Sequence, residues 1–167
     1  YLYDRDEAKT AFRHAAAVAH KAGRLVSLTL SDSFCVGRHR DDFRSLVSDE
    51  VDLLFGNETE LIALYETDTF EQAVAELRQH CQMAAVTIGA KGSIIVTGDE
   101  LIEVPAVPVR KVIDTTGAGD LYAAGFLHGM TVGKPIDECA YLGSLAAAEV
   151  ISHVGPRPLV ELRTLVG

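Results

Sequence analysis

The chain of 167 residues is 48% hydrophobic and 23% charged, the balance of a folded globular protein and not of a disordered or fibrous one. A chain of this length buries roughly 70% of the surface its unfolded form exposes, so its core needs neither disulfides nor a structural metal. Twenty-four acidic residues against 15 basic ones leave a formal charge of −9; with no Lys/Arg-rich stripe, this argues against duplex nucleic acid or an anionic membrane as the main partner.

Residues 6–22 place Ala8, Phe12, Ala15, Ala16 and Ala19 at three- and four-residue spacing, with Gly23 just past the end, which predicts an amphipathic helix. Residues 24–30, RLVSLTL, read as a buried strand ended by the turn-forming SDS at 31–33. A second helix is predicted over 38–49 and a short, fully buried strand over 51–56, VDLLFG, where successive apolar residues leave no solvated face. After NETE (57–60) come the helical ELIALYE and a stronger helix over 70–81, then a strand over 84–89 and a hairpin partner over 93–98. Residues 101–109 look extended, but Pro105 and Pro108 confine them to an edge or irregular strand. From Gly117 to His153 two alanine-rich helices are separated by VGKP (132–135), with Pro135 suited to a first helical turn. Such alternation predicts a three-layer α/β/α fold with a mainly parallel sheet, because parallel strands need helical crossovers. Ligands of such sheets sit beyond the carboxyl ends of the strands, which directs attention to the loops SDS, NETE, TIGAKG and DTTGAG.

The uncharged apolar stretches fall short of the ~18 residues of a membrane span, and no basic-then-apolar signal opens the chain, so a cytoplasmic enzyme is expected. Cys35, Cys81 and Cys139 are far apart and without metal-ligand spacing, and the six histidines lack i, i+4 pairing; the thiols are read as reduced and mostly buried, and no histidine as catalytic or metal-binding.

DTTGAGD (114–120) follows an extended segment and opens a helix. Glycines flanking one small residue let backbone N–H groups converge, and the helix dipole adds positive potential, so the segment is built for an anion. The dinucleotide fingerprint would need a third glycine where Tyr122 stands, and the P-loop spacing occurs nowhere, which argues against a dinucleotide-dependent oxidoreductase. Asp120 gives the segment a carboxylate that could take a proton from a nucleophile attacking a bound phosphate. On the pattern alone, an aspartate N-cap beside a tight glycine turn is an equal reading.

DTTGAGD resembles, at every position, the C-terminal signature of the ribokinase-like or PfkB carbohydrate kinase family. Asn57 and Glu60 are similar to its N-x-x-E motif, Thr87, Gly89 and Gly92 to its T-x-G-x-x-G segment, and AAAEVISHVGP (146–156) to its closing helix and loop. The resemblance implies that Gly117, Ala118 and Gly119 form an anion hole for the transferring phosphate of ATP and that Asp120 is the catalytic base toward an acceptor hydroxyl. It further implies that Asn57 and Glu60 position hydrated Mg²⁺, Glu60 acting through a water. Thr87, Gly89, Gly92 and Thr116 are implied as nucleotide contacts and Ser144 as lying near the adenine, with Ala147 and Val150 on the same apolar wall. Asp114 is implied as a site for a monovalent cation such as K⁺. The competing readings of these smaller motifs are a helix cap at Asn57, a β-turn at 87–92 and a plain turn former at Asp114.

FGNETE, GAGDLYAAGFL and HVGPRP are most similar to adenosine kinase-like members, which implies an ATP-dependent kinase converting adenosine to AMP, with a ribokinase- or fructokinase-type sugar kinase or a non-catalytic nucleotide-binding module as alternatives. The resemblance covers only the C-terminal half of a family member; the glycine-rich first signature, the acceptor-binding aspartate and the β lid have no counterpart. The 167 residues are therefore expected to be the nucleotide-binding part of a longer kinase truncated on its N-terminal side, inactive alone, with an exposed sheet edge that favours self-association. The parent could itself be a homo-oligomer.

Overall fold

The computed structural model describes residues 2–98 and 100–166. Its elements follow in the order α1 (Asp6–Lys21), β1 (Ser27–Thr29), α2 (Ser33–Arg38), α3 (Arg40–Asp49), β2 (Leu53–Asn57), α4 (Glu58–Tyr65), α5 (Phe70–His80), β3 (Met83–Thr87), β4 (Ser93–Thr97), β5 (Leu101–Val104), α6 (Ala118–Thr131) and α7 (Ile136–Val150). The strands form one sheet in the order β1-β2-β3-β4-β5, an α/β arrangement as expected. β1 and β2 run parallel with Ser27 opposite Leu53 and Thr29 opposite Phe55, and α2 and α3 supply the crossover that parallel neighbours require. The links from β3 to β4 and from β4 to β5 are too short for a crossover; they are closed by Ile88 N–H to the Gly92 carbonyl at 2.8 Å and Thr97 N–H to the Glu100 carbonyl at 3.0 Å. The sheet is therefore mixed. None of the described helices is long and apolar enough to cross a membrane.

The chain divides into two compact units, residues 1–86 with 96–100, and residues 87–95 with 101–167. In the first, Leu30, Val36, Leu46, Val47, Leu54, Leu61, Leu64 and Leu77 are sealed from solvent, as the apolar run of β2 and the periodicity of the helices require. Two arginines close one helix end there: Arg40 Nε donates to the Ala63 carbonyl at 2.9 Å and Arg44 Nε to the Leu64 carbonyl at 2.8 Å, which supplies partners for the orphan carbonyls of α4. Three local expectations change. SDS is not only a turn, because Asp32 caps α2 by accepting from the N–H groups of Phe34 and Cys35; the helix expected over 38–49 begins at Arg40, after His39 at φ −123° ends α2. β1 is also shorter than residues 24–30.

In the second unit β5 stops at Val104, directly before Pro105, whose missing N–H cannot continue a ladder. The approach of α6 to α7 depends on glycines. A Cβ on Gly125 would lie 2.4 Å from the Leu142 carbonyl oxygen, one on Gly143 2.7 Å from the Tyr122 carbonyl oxygen, and one on Gly129 2.8 Å from Cys139 Sγ. Backbone thus meets backbone, an intimacy that alanine-rich periodicity alone does not announce. Cys81 and Cys139 are buried free thiols, as expected, while Cys35 is half-buried.

Candidate functional site

The start of α6 is organised by Asp114. Its Oδ1 accepts from Thr116 N–H at 2.9 Å and Thr116 Oγ1 at 2.7 Å, and its Oδ2 accepts from Gly155 N–H at 2.9 Å. The Gly155 N–H first, then the two Thr116 donors, hold this carboxyl at about 2, well below the ordinary carboxylate value. The loop 114–117 is thereby tied to residues 155–156 of the same unit. Gly117, at φ +82°, turns the chain into α6, and a Cβ there would stand 2.8 Å from Pro156 Cβ, so glycine is required twice over, by backbone and by space.

α4 and α5 each begin with a reciprocal capping box, Asn57 with Glu60 and Thr69 with Gln72, whereas α6 has no side-chain cap. Ala118 N–H is spent on the Thr115 carbonyl at 3.1 Å, and the first helical bond runs from Leu121 N–H to Gly117 at 2.9 Å. The intervening N–H groups of Gly119 and Asp120 have no acceptor within the helix by their position. Asp120 occupies the third helical position, which removes the aspartate-cap reading. It is exposed, and among the described residues its carboxylate has no hydrogen-bond or ion-pair partner.

Beside this helix start, wholly within the second unit, lies a cavity of about 600 Å³. Thr115, Ala118 and Gly119 line one stretch, with Thr87, Gly89 and Gly92 from the β3–β4 connection; Val107, Pro108, Val109, Ala147 and Ile151 supply an apolar wall. Ser144, 8% exposed, also lines it, and its Oγ accepts from Val107 N–H at 2.8 Å, fixing the wall to α7. Tyr122, which takes the place of the fingerprint's third glycine, is buried with its hydroxyl donating to Ser93 Oγ at 2.7 Å; burial pushes this phenol up to about 12.

Seven of the expected residues, Ala118, Gly119, Thr87, Gly89, Gly92, Ser144 and Ala147, therefore share one cavity. Three expectations need correction. Thr116 turns onto Asp114 and is not part of the lining. Val150 is sealed in the core with Leu121 and Ala146, not on the apolar wall. Gly92, at φ +110°, is needed because β5 runs against it: a Cβ would lie 2.0 Å from the Val104 carbonyl oxygen, so its close approach is to its own backbone. Gly89, at φ +60°, faces open space. The segment 106–109 is the part of the wall that sequence reading missed, since its prolines announce irregularity without saying what it borders.

In the first unit, Asn57 and Glu60 are drawn together as a cap. Asn57 Oδ1 accepts from Glu60 N–H at 2.9 Å, and Glu60 Oε2 accepts from Asn57 N–H at 3.0 Å. Glu60 is 7% exposed; burial raises its carboxyl above the ordinary value against the lowering bonds from Asn57. One carboxylate oxygen is thus committed to the cap, and the other is a hard donor of the type that suits a magnesium-bound water. Among the described residues no cluster of three or more His, Cys, Asp or Glu could hold a metal by protein ligands alone.

Residues 4–162 match the pfkB family carbohydrate kinases. The structure is similar to the crystal structure of adenosine kinase from Sinorhizobium meliloti, with 51% identity and a TM-score of 0.96, covering 99% of this chain and 51% of that one. It is also similar to a probable sugar kinase from Rhizobium etli, at 47% identity and a TM-score of 0.95 over 98% of this chain and 50% of that one. Arabidopsis thaliana ribokinase complexed with ribose and ATP is more distant, at 28% identity and a TM-score of 0.76, with 95% and 51% covered. The chain spans about half the length of these solved relatives. With the ribokinase-like α/β fold and the DTTGAGD helix start in place, the chain belongs to the pfkB family of carbohydrate kinases.

Proposed function

We propose that this chain is the nucleotide-binding, C-terminal part of a cytoplasmic kinase that transfers the γ-phosphoryl group of ATP to a hydroxyl of a nucleoside, adenosine before others. The observation that carries the reading is the uncapped start of α6: N–H donors without helical acceptors at Gly119 and Asp120, an unengaged carboxylate on Asp120, and a cavity lined by Gly119 immediately before it. Phosphoryl transfer passes through a loose transition state, so positioning and charge stabilisation do most of the work. In this reading the acceptor oxygen attacks the γ-phosphorus as its bond to the β–γ bridging oxygen breaks and ADP leaves, Asp120 takes the acceptor's proton, and the donors at the start of α6 hold the phosphoryl charge. Ala118 shapes the cavity wall and not the donor set, its N–H being spent on Thr115. Ser144 and Ala147 border the adenine.

Magnesium, when bound, would neutralise charge on the phosphates, and the second oxygen of Glu60 would hold a water of its shell while Asn57 fixes that carboxylate. A monovalent cation at Asp114 would have to share a carboxylate already bonded to three donors, and K⁺ dependence of turnover is its test. A sugar acceptor is the second reading, favoured by the ribose held in the Arabidopsis ribokinase.

The deciding experiment is ADP formation by the full-length protein from ATP and Mg²⁺ with adenosine, other nucleosides, ribose or fructose. Selective use of adenosine supports the reading; selective use of a sugar keeps the mechanism and replaces the acceptor; tight ATP binding without turnover of any of them rejects the kinase in favour of a regulatory module.

Gly119 offers a separate test. Nothing lies within 4 Å of a Cβ built on it, and it is helical, so Gly119→Ala is tolerated by the fold and gains about 0.4–1 kcal/mol from the unfolded state. The methyl would project beside the proposed phosphate position. The expected result is an unchanged or raised Tm together with binding of a non-hydrolysable ATP analogue weakened about tenfold or more, roughly 1.4 kcal/mol; unaltered affinity for that analogue by calorimetry would remove the anion from this helix start.

A further inference from the structure

We propose that Glu149 is a positioning residue for the phosphoryl transfer: its carboxylate clasps the loop 153–159, and that loop seats the start of α6. The inference rests on the kinase reading above and adds to it a residue outside the cavity lining.

Glu149 stands in the last turn of α7 with only 10% of its side chain exposed. A carboxylate so buried needs partners, and it has them at both ends of the loop that follows. Oε1 accepts from Leu159 N–H at 2.9 Å, and Oε2 lies 3.4 Å from His153 Nε2. Between these two points the chain touches the segment that opens α6 twice. Gly155 N–H donates to Asp114 Oδ2 at 2.9 Å, and Pro156 packs on Gly117, where an added Cβ would meet Pro156 Cβ at 2.8 Å and the Pro156 carbonyl oxygen at 3.1 Å.

Burial does little to hold this loop. It contains neither helix nor strand, and Val154 and Leu159 are 79% and 74% exposed. Pro156 and Pro158 have no N–H with which to bond, but their fixed φ, and the extended backbone that Pro158 imposes on Arg157, make the span to Leu159 stiff. The hold on Leu159 therefore reaches Pro156 and, through it, Gly117. Leu159 N–H lies at the surface and turns to water when its acceptor is removed, so losing Glu149 disturbs placement more than stability. Gly117 sets the direction of the N–H groups of Gly119 and Asp120, and a misplacement of about 1 Å caused far from the chemistry can cost about 10²-fold in rate.

The test compares Glu149→Ala with Glu149→Gln in the full-length protein, measuring kcat, acceptor KM and Tm, with rates taken well below each Tm. Glutamine keeps an oxygen that can accept from Leu159 N–H, without the charge. The expected result is kcat lowered about tenfold or more in Glu149→Ala with acceptor KM within about threefold, and kcat restored to within about threefold in Glu149→Gln. A purely structural residue would lower Tm and leave the kcat of the folded protein unaltered. Full kcat in Glu149→Ala, or equal losses in the two variants, overturns the inference while leaving the kinase intact. Pro158→Gly keeps every bond of Glu149 and loosens the span, and it decides the matter where Glu149→Ala does not fold: kcat should fall about threefold or more, and an unchanged kcat overturns the relay. Failure of the unaltered protein to form ADP with any acceptor overturns the kinase reading and this inference with it.

Discussion

Asp120→Asn is expected to lower kcat by about 10²–10⁴-fold, the usual contribution of a positioned proton acceptor, while ADP affinity and Tm stay close to those of the unaltered protein. The structural grounds are unusually clean. Asp120 is the third residue of α6, is exposed, and caps nothing, because the helix begins at Gly117 without a side-chain cap. An amide of the same shape therefore leaves the helix, the cavity lining and the N–H donors of the first turn undisturbed, and removes only the capacity to accept a proton. Single-turnover chemistry, equilibrium ADP binding and thermal melting of the full-length protein separate the two roles. Turnover retained within a few-fold would show that Asp120 is not the base. A fall in Tm matching the loss of activity would instead make it a structural residue.

Gly92→Ala should have the largest effect on folding, and for a reason unrelated to ligand. Gly92 combines φ +110° and ψ −128°, a region open essentially to glycine alone. The added Cβ would stand 2.0 Å from the Val104 carbonyl oxygen, 2.6 Å from Ala106 N and 2.7 Å from the Pro105 carbonyl carbon. All three are backbone atoms of the segment that leads from β5 into the cavity wall, so no side chain can swing aside. Strain and overpacking together should cost about 4 kcal/mol or more, which for a chain of this length lowers Tm by roughly 8 °C or more. Gly89→Ala is the control: it shares a positive φ, +60°, but nothing lies within 4 Å of its Cβ, leaving only a left-handed backbone penalty of about 1–2 kcal/mol. Equal stability of the two variants in denaturant titrations would show that the β3–β4 turn yields to the added methyl.

Local pattern carried much of this protein. The 3.6-residue periodicity of α1, α5, α6 and α7 and the apolar run of β2 were legible because each reflects a face or a strand that must leave water, and neighbouring residues report that requirement directly. The resemblance carried by DTTGAGD was legible for a related reason: the small residues and the carboxylate of the proposed phosphoryl-transfer site stand at neighbouring positions, so the pattern is written in one short stretch. Asp32 was harder to read, because a cap is defined by which N–H its carboxylate meets, and SDS is as good a turn as a helix start.

What only the tertiary structure decided lies in contacts between residues distant along the chain. Asp114 became a tie to Gly155 as well as a turn former, Thr116 was drawn onto it, and Val150 was claimed by the core. Gly92 proved to be shaped by Val104, and Gly125 and Gly143 by the helix each faces. The apolar wall at 106–109 acquired its meaning when Ser144, thirty-seven residues beyond Val107, accepted its N–H. Sequence alone determined the family, the helix start and the carboxylate that equips it, since these depend on residue types in series. The enclosure of the cavity depends on backbone approaches and hydrogen bonds across long separations, which no local spacing encodes.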